Sequence, residues 1–425
     1  MSKSIFWFRR DLRFNDNTGL LKALQNNNDV LPVFIFDTNI LKELPVDDAR
    51  VYFIYQRLKL LNDELLLHGS SLLVLKGDPL EVWEKLIQQF DPSHVYVNKD
   101  YEPYARERDL KVKKLLDANN IGFLQCKDQV IFEENEIVKD DGFPYHIFTP
   151  YKRKWLAKYK VTAEVGLIQF ASFSKRSSLF PSLKEIGFKT PIQKVLEFDL
   201  SRVDHYEAER NFPAKNGSTH LGPHLRFGTV SIRQIIRQLK PGNEVFLNEL
   251  IWREFFMQIL YHYPKVVHEN FKSKYNGIQW LNKSEDFEKW CSGNTGYPMV
   301  DAGMRELNAT GYMHNRVRMV TAGFLCKHLL IDWRWGEAYF ALKLLDFELS
   351  SNNGNWQWAA GTGCDAAPYF RIFNPMEQLK RFDKDQHYIK KWIPELEMAS
   401  YPDPMIDHKT ARQRALLVYK QGLSK

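Results

Sequence analysis

The sequence predicts an N-terminal α/β domain built on a doubly wound parallel sheet, followed by a long linker and an all-α C-terminal domain. Three observations predict it. Through about residue 130, short apolar runs alternate with helix-like segments, which is the rhythm of βαβ units. From about residue 201 onward nearly every segment has the helical period instead. The chain of 425 residues also exceeds the roughly 250–300 at which one hydrophobic core stops growing, so at least two domains are expected.

Taken in order, residues 1–130 contain the strand candidates "SIFWF", "VLPVFIF", "SSLLVL" and "HVYV", with "DARVYFIYQRLKLLNDELLLHG" as a helix between two of them. Residues 131–200 lose both periods, passing through "DDGFPYHIFTPYKRKW" into a Ser/Lys-rich stretch, and are assigned to the interdomain linker. Residues 201–425 carry the helical domain, as in "NELIWREFFMQILYHYP" and "YMHNRVRMVTAGFLCKHLLIDW".

Charge and composition narrow the function. The net charge is +7, with 18 Lys/Arg against 19 Asp/Glu through residue 130 and 41 against 33 in the rest. The basic surplus therefore belongs to the later part of the chain, and its densest piece, residues 151–200, reads either as a solvated connector or as a flank of a phosphate-binding surface. Four dispersed cysteines argue against a disulfide framework and a zinc knuckle, and no metal site is expected. No apolar run approaches the roughly 18 residues of a membrane span and no signal peptide opens the chain, so a cytoplasmic protein without membrane contact is expected.

Two helices carry polar and aromatic residues on a common face. In "NELIWREFF", Glu249, Trp252, Arg253 and Phe256 recur at i, i+3, i+4 and i+7. In "MHNRVRM", Asn315, Arg318 and Met319 repeat the i, i+3, i+4 arrangement, and such mixed faces suit pocket walls. Eight of the 11 tryptophans fall beyond residue 201, more than core filling calls for. Glycine, alanine and asparagine surround large aromatics in "NNGNWQWAAGTGCDAAPYFRIFNP" (352–375), as though a flat polar group were held closely.

These stretches, with "TGYPMVDAGMRELNATGYMHNRVRM" and "LLIDWRWGEAYF", resemble the photolyase and cryptochrome family, specifically class I cyclobutane pyrimidine dimer photolyases. The resemblance runs from "FWFRRDLRFNDN" to "HKTARQRAL", nearly the whole chain. It implies FAD in the helical domain and a light-driven repair reaction: excited reduced FAD gives an electron to a flipped-out dimer, the cyclobutane bonds open, and the electron returns.

Carried over residue by residue, the resemblance implies that Asn352 faces flavin N5, where a neutral amide can bond the reduced ring without adding charge. It places Arg318 and Asp346 as an ion pair beside the ring, with Phe347 and Glu348 next to them. Tyr206 and the loop Ser218, Thr219, His220, Leu221, Gly222 match the segment holding the FAD pyrophosphate. Trp356, Trp333 and Trp280 match the electron-transfer chain to the flavin. Glu249, Trp252, Trp358, Asn315 and Met319 match the dimer pocket, and Glu249, expected to be buried between aromatics, is expected as a protonated donor. Arg210, Arg253, Arg316, Arg371 and Gln378 match positions along the DNA backbone. The implied partner is UV-damaged DNA, bound by a monomer.

The sequence departs from the family pattern at Gly222, where a Ser is usual, and at Phe246, Tyr312 and Glu348. Tyr104-Ala105 stands where folate-antenna members place Asn-Glu, which speaks against the folate type and leaves a deazaflavin, a flavin or no second chromophore. The alternative function is a cryptochrome-like blue-light photoreceptor. Asn352, where plant-type cryptochromes carry Asp, and the lack of a long C-terminal extension favour repair.

Overall fold

The computed structural model describes residues 3–161, 166 and 168–424. Contacts divide the chain into two units, one of Met1–Glu136, Ala157–Phe198 and Leu221–Leu239, the other of Ile137–Leu156, Asp199–His220 and Lys240–Lys425.

In the first unit, five strands pair in parallel in the order β3-β2-β1-β4-β5: β1 Ser4–Phe8, β2 Val30–Asp37, β3 Leu73–Gly77, β4 His94–Asn98 and β5 Gly122–Cys126. Both faces of β1 and β2 are buried, which explains why their sequences read as unbroken apolar runs. The period of two still sorts the side chains. Phe6, Phe8, Phe34 and Phe36 enter one core, while Ile5, Trp7, Val33 and Ile35 enter the other. Asn17, Asp48 and Asp78 cap the helices that follow β1, β2 and β3, each side chain accepting a backbone N–H of the first turn. The strand order reverses between β1 and β4, the place where open α/β sheets bind ligands.

The second unit is helical, and its core collects Trp290, Met304, Val317, Leu325, Trp333 and Trp356 with their neighbours. Its helices include Glu244–His262, Asn315–Gly323, Trp333–Lys343, Leu349–Ala360, Pro375–Phe382 and His408–Leu423. A π-helical turn, Phe324–His328, interrupts the path from the second of these to the third.

The stretch 131–200 is not a uniform connector. Phe148–Lys158 is a helix, and its Phe148, Tyr151 and Trp155 are buried at i, i+3 and i+7. Trp155 Nε1 donates to Glu254 Oε1 at 2.7 Å, and Phe148 stacks on Trp252 with centroids 3.7 Å apart. The Lys and Arg residues between these aromatics mask the apolar stripe in the sequence. Leu221–Leu239, expected in the helical domain, groups with the α/β unit, where His224 Nε2 donates to the Leu196 carbonyl at 2.9 Å and its Nδ1 bonds the Thr229 hydroxyl at 2.8 Å. Residues 162–165 and 167 of the expected linker lie outside the described residues.

Candidate active site and nucleic-acid interface

The Asn315–Gly323 and Leu349–Ala360 helices, with the turn Asp346–Glu348, wall a cavity in the second unit. Asn315, Arg318 and Met319 come from the first helix, Asp346, Phe347 and Glu348 from the turn, and Asn352, Trp356 and Trp358 from the second helix. Nine residues expected at the site thus line one cavity.

Its polar groups are arranged by their partners. Arg318 is fixed by Nε donating to the Met313 carbonyl at 2.8 Å and by Nη2 donating to Asp346 Oδ2 at 2.8 Å. The other oxygen, Asp346 Oδ1, is buried with no partner and so awaits a donor from a ligand. Asn352 gives Nδ2 to the Glu337 carbonyl at 3.1 Å and to Glu337 Oε1 at 2.9 Å. A backbone carbonyl can only accept, so these bonds orient the amide and leave Oδ1 as its acceptor for a ligand N–H. Burial pushes the Glu337 carboxyl upward, and the hydrogen bond from Asn352 opposes that shift.

A ring system is accommodated by the small and flat residues. Trp356 is 2% exposed, meeting Phe340 edge-on at 4.9 Å and Trp290 at 6.1 Å. Its indole lies on Gly336, where a Cβ would come within 2.1 Å of Cη2. Trp333 is one turn before Gly336 on the same helix, fully buried, with Nε1 donating to Asn270 Oδ1 at 2.8 Å. Trp280 packs partly buried against the same core and meets Tyr419 edge-on at 5.9 Å. The three expected relay tryptophans therefore share one aromatic core.

The Glu244–His262 helix departs from expectation. Glu249 and Arg253 do not pair with each other. Glu249 is 34% exposed at its side chain and binds Arg210 Nη1 at 2.6 Å, so the expected burial between aromatics is not found and the argument for a neutral donor lapses. Arg253 is only 12% exposed and its Nε lies 2.9 Å from Oε2 of Glu348, which lines the cavity. Trp252 does not line the cavity; one of its faces is covered by Phe148.

Tyr206 meets Phe246 edge-on at 5.1 Å and has the Arg210 guanidinium 5.3 Å from its ring. Burial, then the nearby Glu249 charge, raises its phenol to about 12. In the expected phosphate loop, Thr219 is buried, the Ser218 carbonyl accepts from Arg202 Nη1 at 3.0 Å, and His220 adopts φ 53°. Leu221 and Gly222 begin the short helix Leu221–Arg226, which groups with the first unit.

Basic side chains converge beside the cavity. Arg316 donates to Asn211 Oδ1 at 2.6 Å, lies over Phe382 at 4.3 Å, and keeps a buried Nε without a partner. Desolvation and then the charges of Arg210, Arg381 and Arg371 depress its pKa. The field of these guanidinium groups at Arg316 is one that an anion relieves. Gln378 contributes a buried, unpartnered Oε1. Arg381 and Asn211 were not singled out in the sequence; Arg381 follows Gln378 by three residues, a spacing that sets both on one helical face. Glu337 was also missed, and no local pattern marks it.

His314, one step off the face of Asn315 and Arg318, caps that helix: its Nδ1 accepts the Arg316 N–H at 3.1 Å. An acceptor nitrogen must be unprotonated, and burial followed by Arg318, Arg316 and Arg210 brings His314 down to about 4. In the first unit, Tyr104 donates to Asp37 Oδ2 at 2.7 Å and Arg108 lies over Trp7 at 4.9 Å.

Comparison with known proteins identifies the family. The family model for the FAD binding domain of DNA photolyase matches residues 246–400, and that for DNA photolyase matches 4–168. A deoxyribodipyrimidine photo-lyase of Synechococcus is 35% identical, covering 98% of this chain and 96% of its own. The chain belongs to the DNA photolyase family. Among solved structures, a class III photolyase of Agrobacterium tumefaciens superposes with TM-score 0.89 at 31% identity, covering 100% of this chain and 98% of that one. An archaeal photolyase of Sulfolobus tokodaii, solved with two FAD molecules, gives TM-score 0.86 at 36% identity over 98% and 99%.

Proposed function

We propose that the cavity around Asn352 holds the isoalloxazine of FAD and that Asp346 Oδ1 receives one of its N–H groups. The orphaned Asp346 oxygen, aligned by Arg318 and buried beside the cavity that Asn352, Trp356 and Trp358 line, is the observation that carries the assignment. The protein is a FAD-dependent enzyme of light-driven DNA repair, a deoxyribodipyrimidine photo-lyase. Bound FAD in its reduced form supplies the light-excited electron donor for opening the cyclobutane ring. The chain's own residues do the rest. Asn352, braced by Glu337, offers a neutral oxygen to a ring N–H without adding negative charge. Trp356, Trp333 and Trp280 provide oxidisable indoles between solvent and the cavity.

The lesion is a pyrimidine dimer that leaves the stack, stacking against Trp358 beside Met319 and Asn315. Glu249, paired with Arg210, hydrogen-bonds the flipped base or orders Arg210 for a phosphate. Arg210, Arg316, Arg371 and Arg381, with Gln378, take the flanking backbone; Arg253 serves the pocket by fixing Glu348. The lesion assignment is the class I one, cyclobutane dimers, and the enzyme acts as a monomer. A flavin is among the second chromophores the first unit takes, at the C-terminal ends of the neighbouring strands β1 and β4. The test is binding by the purified flavoprotein: a duplex with one thymine cyclobutane dimer should bind more tightly than its undamaged twin. Equal affinities would refute the pocket assignment.

A further inference from the structure

The loop between the Leu349–Ala360 helix and the Pro375–Phe382 helix ends in a turn, Pro368–Arg371, closed by the Arg371 N–H donating to the Pro368 carbonyl at 2.9 Å. Behind that turn sits a lysine that the proposed chemistry does not use. Lys327, in the π-helical turn, is 2% exposed. Its Nζ donates to the Ala360 carbonyl at 2.7 Å and to the Tyr369 carbonyl at 3.2 Å, and lies 3.9 Å from the centre of the Tyr419 ring. Tyr419 itself donates to the Ala360 carbonyl at 2.8 Å and stacks on Tyr369, with centroids 5.8 Å apart and planes 6° from parallel. No carboxylate pairs with Lys327 among the described residues. One ammonium thus joins the last carbonyl of the helix carrying Asn352, Trp356 and Trp358 to the turn carrying Arg371.

We propose that Lys327 is a positioning residue for DNA binding, its ammonium holding the Pro368–Arg371 turn so that Arg371 stands in the guanidinium cluster with Arg316. This rests on the reading of Arg371 as a phosphate contact. All three groups around Nζ are acceptors of positive N–H: two carbonyls and a ring face. A neutral amine has two N–H groups and no charge for the ring, so deprotonation loosens the tie. The titratable groups facing Lys327 are Cys326 from its own turn, Tyr419 from the C-terminal helix and Tyr369 from the loop; none is a carboxylate. Burial, opposed only by Cys326, brings the lysine down to about 7.

Two pH effects then run in opposite directions. The folded pKa lies below the free value of about 10.5, so the folded state binds fewer protons than the unfolded one between about 7 and 10.5, and this group makes overall stability rise with pH in that window. DNA affinity, which needs the charged tie, should fall over the same interval. A residue that served stability alone would move both together.

The experiment measures affinity of the FAD-loaded protein for a dimer-containing oligonucleotide from pH 6 to 9 at fixed salt, for the wild type, Lys327→Met, Lys327→Arg and Arg371→Ala. Wild-type Kd should rise about 3- to 10-fold with pH, as the fraction of protein with an ordered turn falls. Lys327→Met should be weak and flat with pH; Lys327→Arg, which keeps its charge, should be tight and flat. Arg371→Ala should bind weakly throughout. If Arg371→Ala binds as the wild type does, the phosphate reading fails. If it binds weakly while Lys327→Met keeps the wild-type profile, the tie is overturned and the phosphate reading stands. Should Lys327→Met not retain FAD, a wild-type Kd constant within twofold across the range overturns the proposal by itself.

Discussion

Gly336→Ala is the substitution whose effect can be worked most directly from the structure. The new Cβ would lie 2.1 Å from Trp356 Cη2 and 2.5 Å from both Trp356 Cζ3 and Leu325 Cδ2. Carbon atoms rest about 3.5–4.0 Å apart, so the indole must retreat by roughly 1.4 Å or more. It cannot do so freely, because Phe340 and Trp290 hold its edges and it is 2% exposed. Overpacking of this kind costs about 1–3 kcal/mol, which for a unit of this size lowers Tm by roughly 2–12 °C. The displaced ring is the one proposed to pass electrons to FAD, so photoreduction of the oxidised flavin by an external donor should slow as well. Thermal melting and flavin absorbance under blue light read the two effects. A variant with native Tm and native photoreduction would refute the placement of Trp356 against this helix.

Trp356→Phe should retain FAD yet photoreduce slowly, while enzyme reduced chemically beforehand should still repair; flavin absorbance during illumination decides. Arg371→Ala should weaken DNA binding and flatten its dependence on salt by about 0.9 in the log–log slope, because one fewer phosphate is neutralised. Titrations at several salt concentrations check this, and an unchanged slope would place Arg371 off the DNA path. Acid should destabilise the fold below neutrality. His314 and His328 are held down to about 4 and about 3 by burial, so the unfolded state binds more protons between their folded values and about 6.5, and stability present above 6.5 is lost as pH falls. His314 alone accounts for on the order of 3 kcal/mol by pH 4, and His314→Asn, which can still cap the helix, should flatten melting curves taken between pH 4 and 6.5.

Much of the fold was legible because the periods are clean. The run "SIFWF" reads as a strand, and its alternate residues enter the two cores on either side of the sheet. The helix Phe148–Lys158 was hidden because lysines and arginines fill its outer face and outnumber its three buried aromatics. At the site, i, i+3, i+4 spacing found Asn315, Arg318 and Met319, and the family resemblance placed Asn352, Trp356 and Asp346 at the same cavity. Pairing was not legible. Glu249 and Arg253 are four residues apart, the usual spacing for a helical ion pair, yet each binds a partner from another segment, Arg210 and Glu348. Glu337 and Lys327 act through bonds to residues 15 and 33 or more positions away, distances at which sequence holds no periodic signal.

The central claim is repair of cyclobutane dimers by light-driven electron donation from a pocket built on Asn352, Asp346 and Trp358. Asn315 and Met319 face that pocket, and His314 is occupied as a helix cap, which leaves no histidine on this helix to relay a proton to a (6-4) photoproduct. The most direct test is blue-light incubation of the reduced enzyme with two defined oligonucleotides, one carrying each lesion, against dark controls. The account predicts light-dependent restoration of the cyclobutane strand and an untouched (6-4) strand; restoration of the (6-4) strand with the cyclobutane strand unchanged would contradict it.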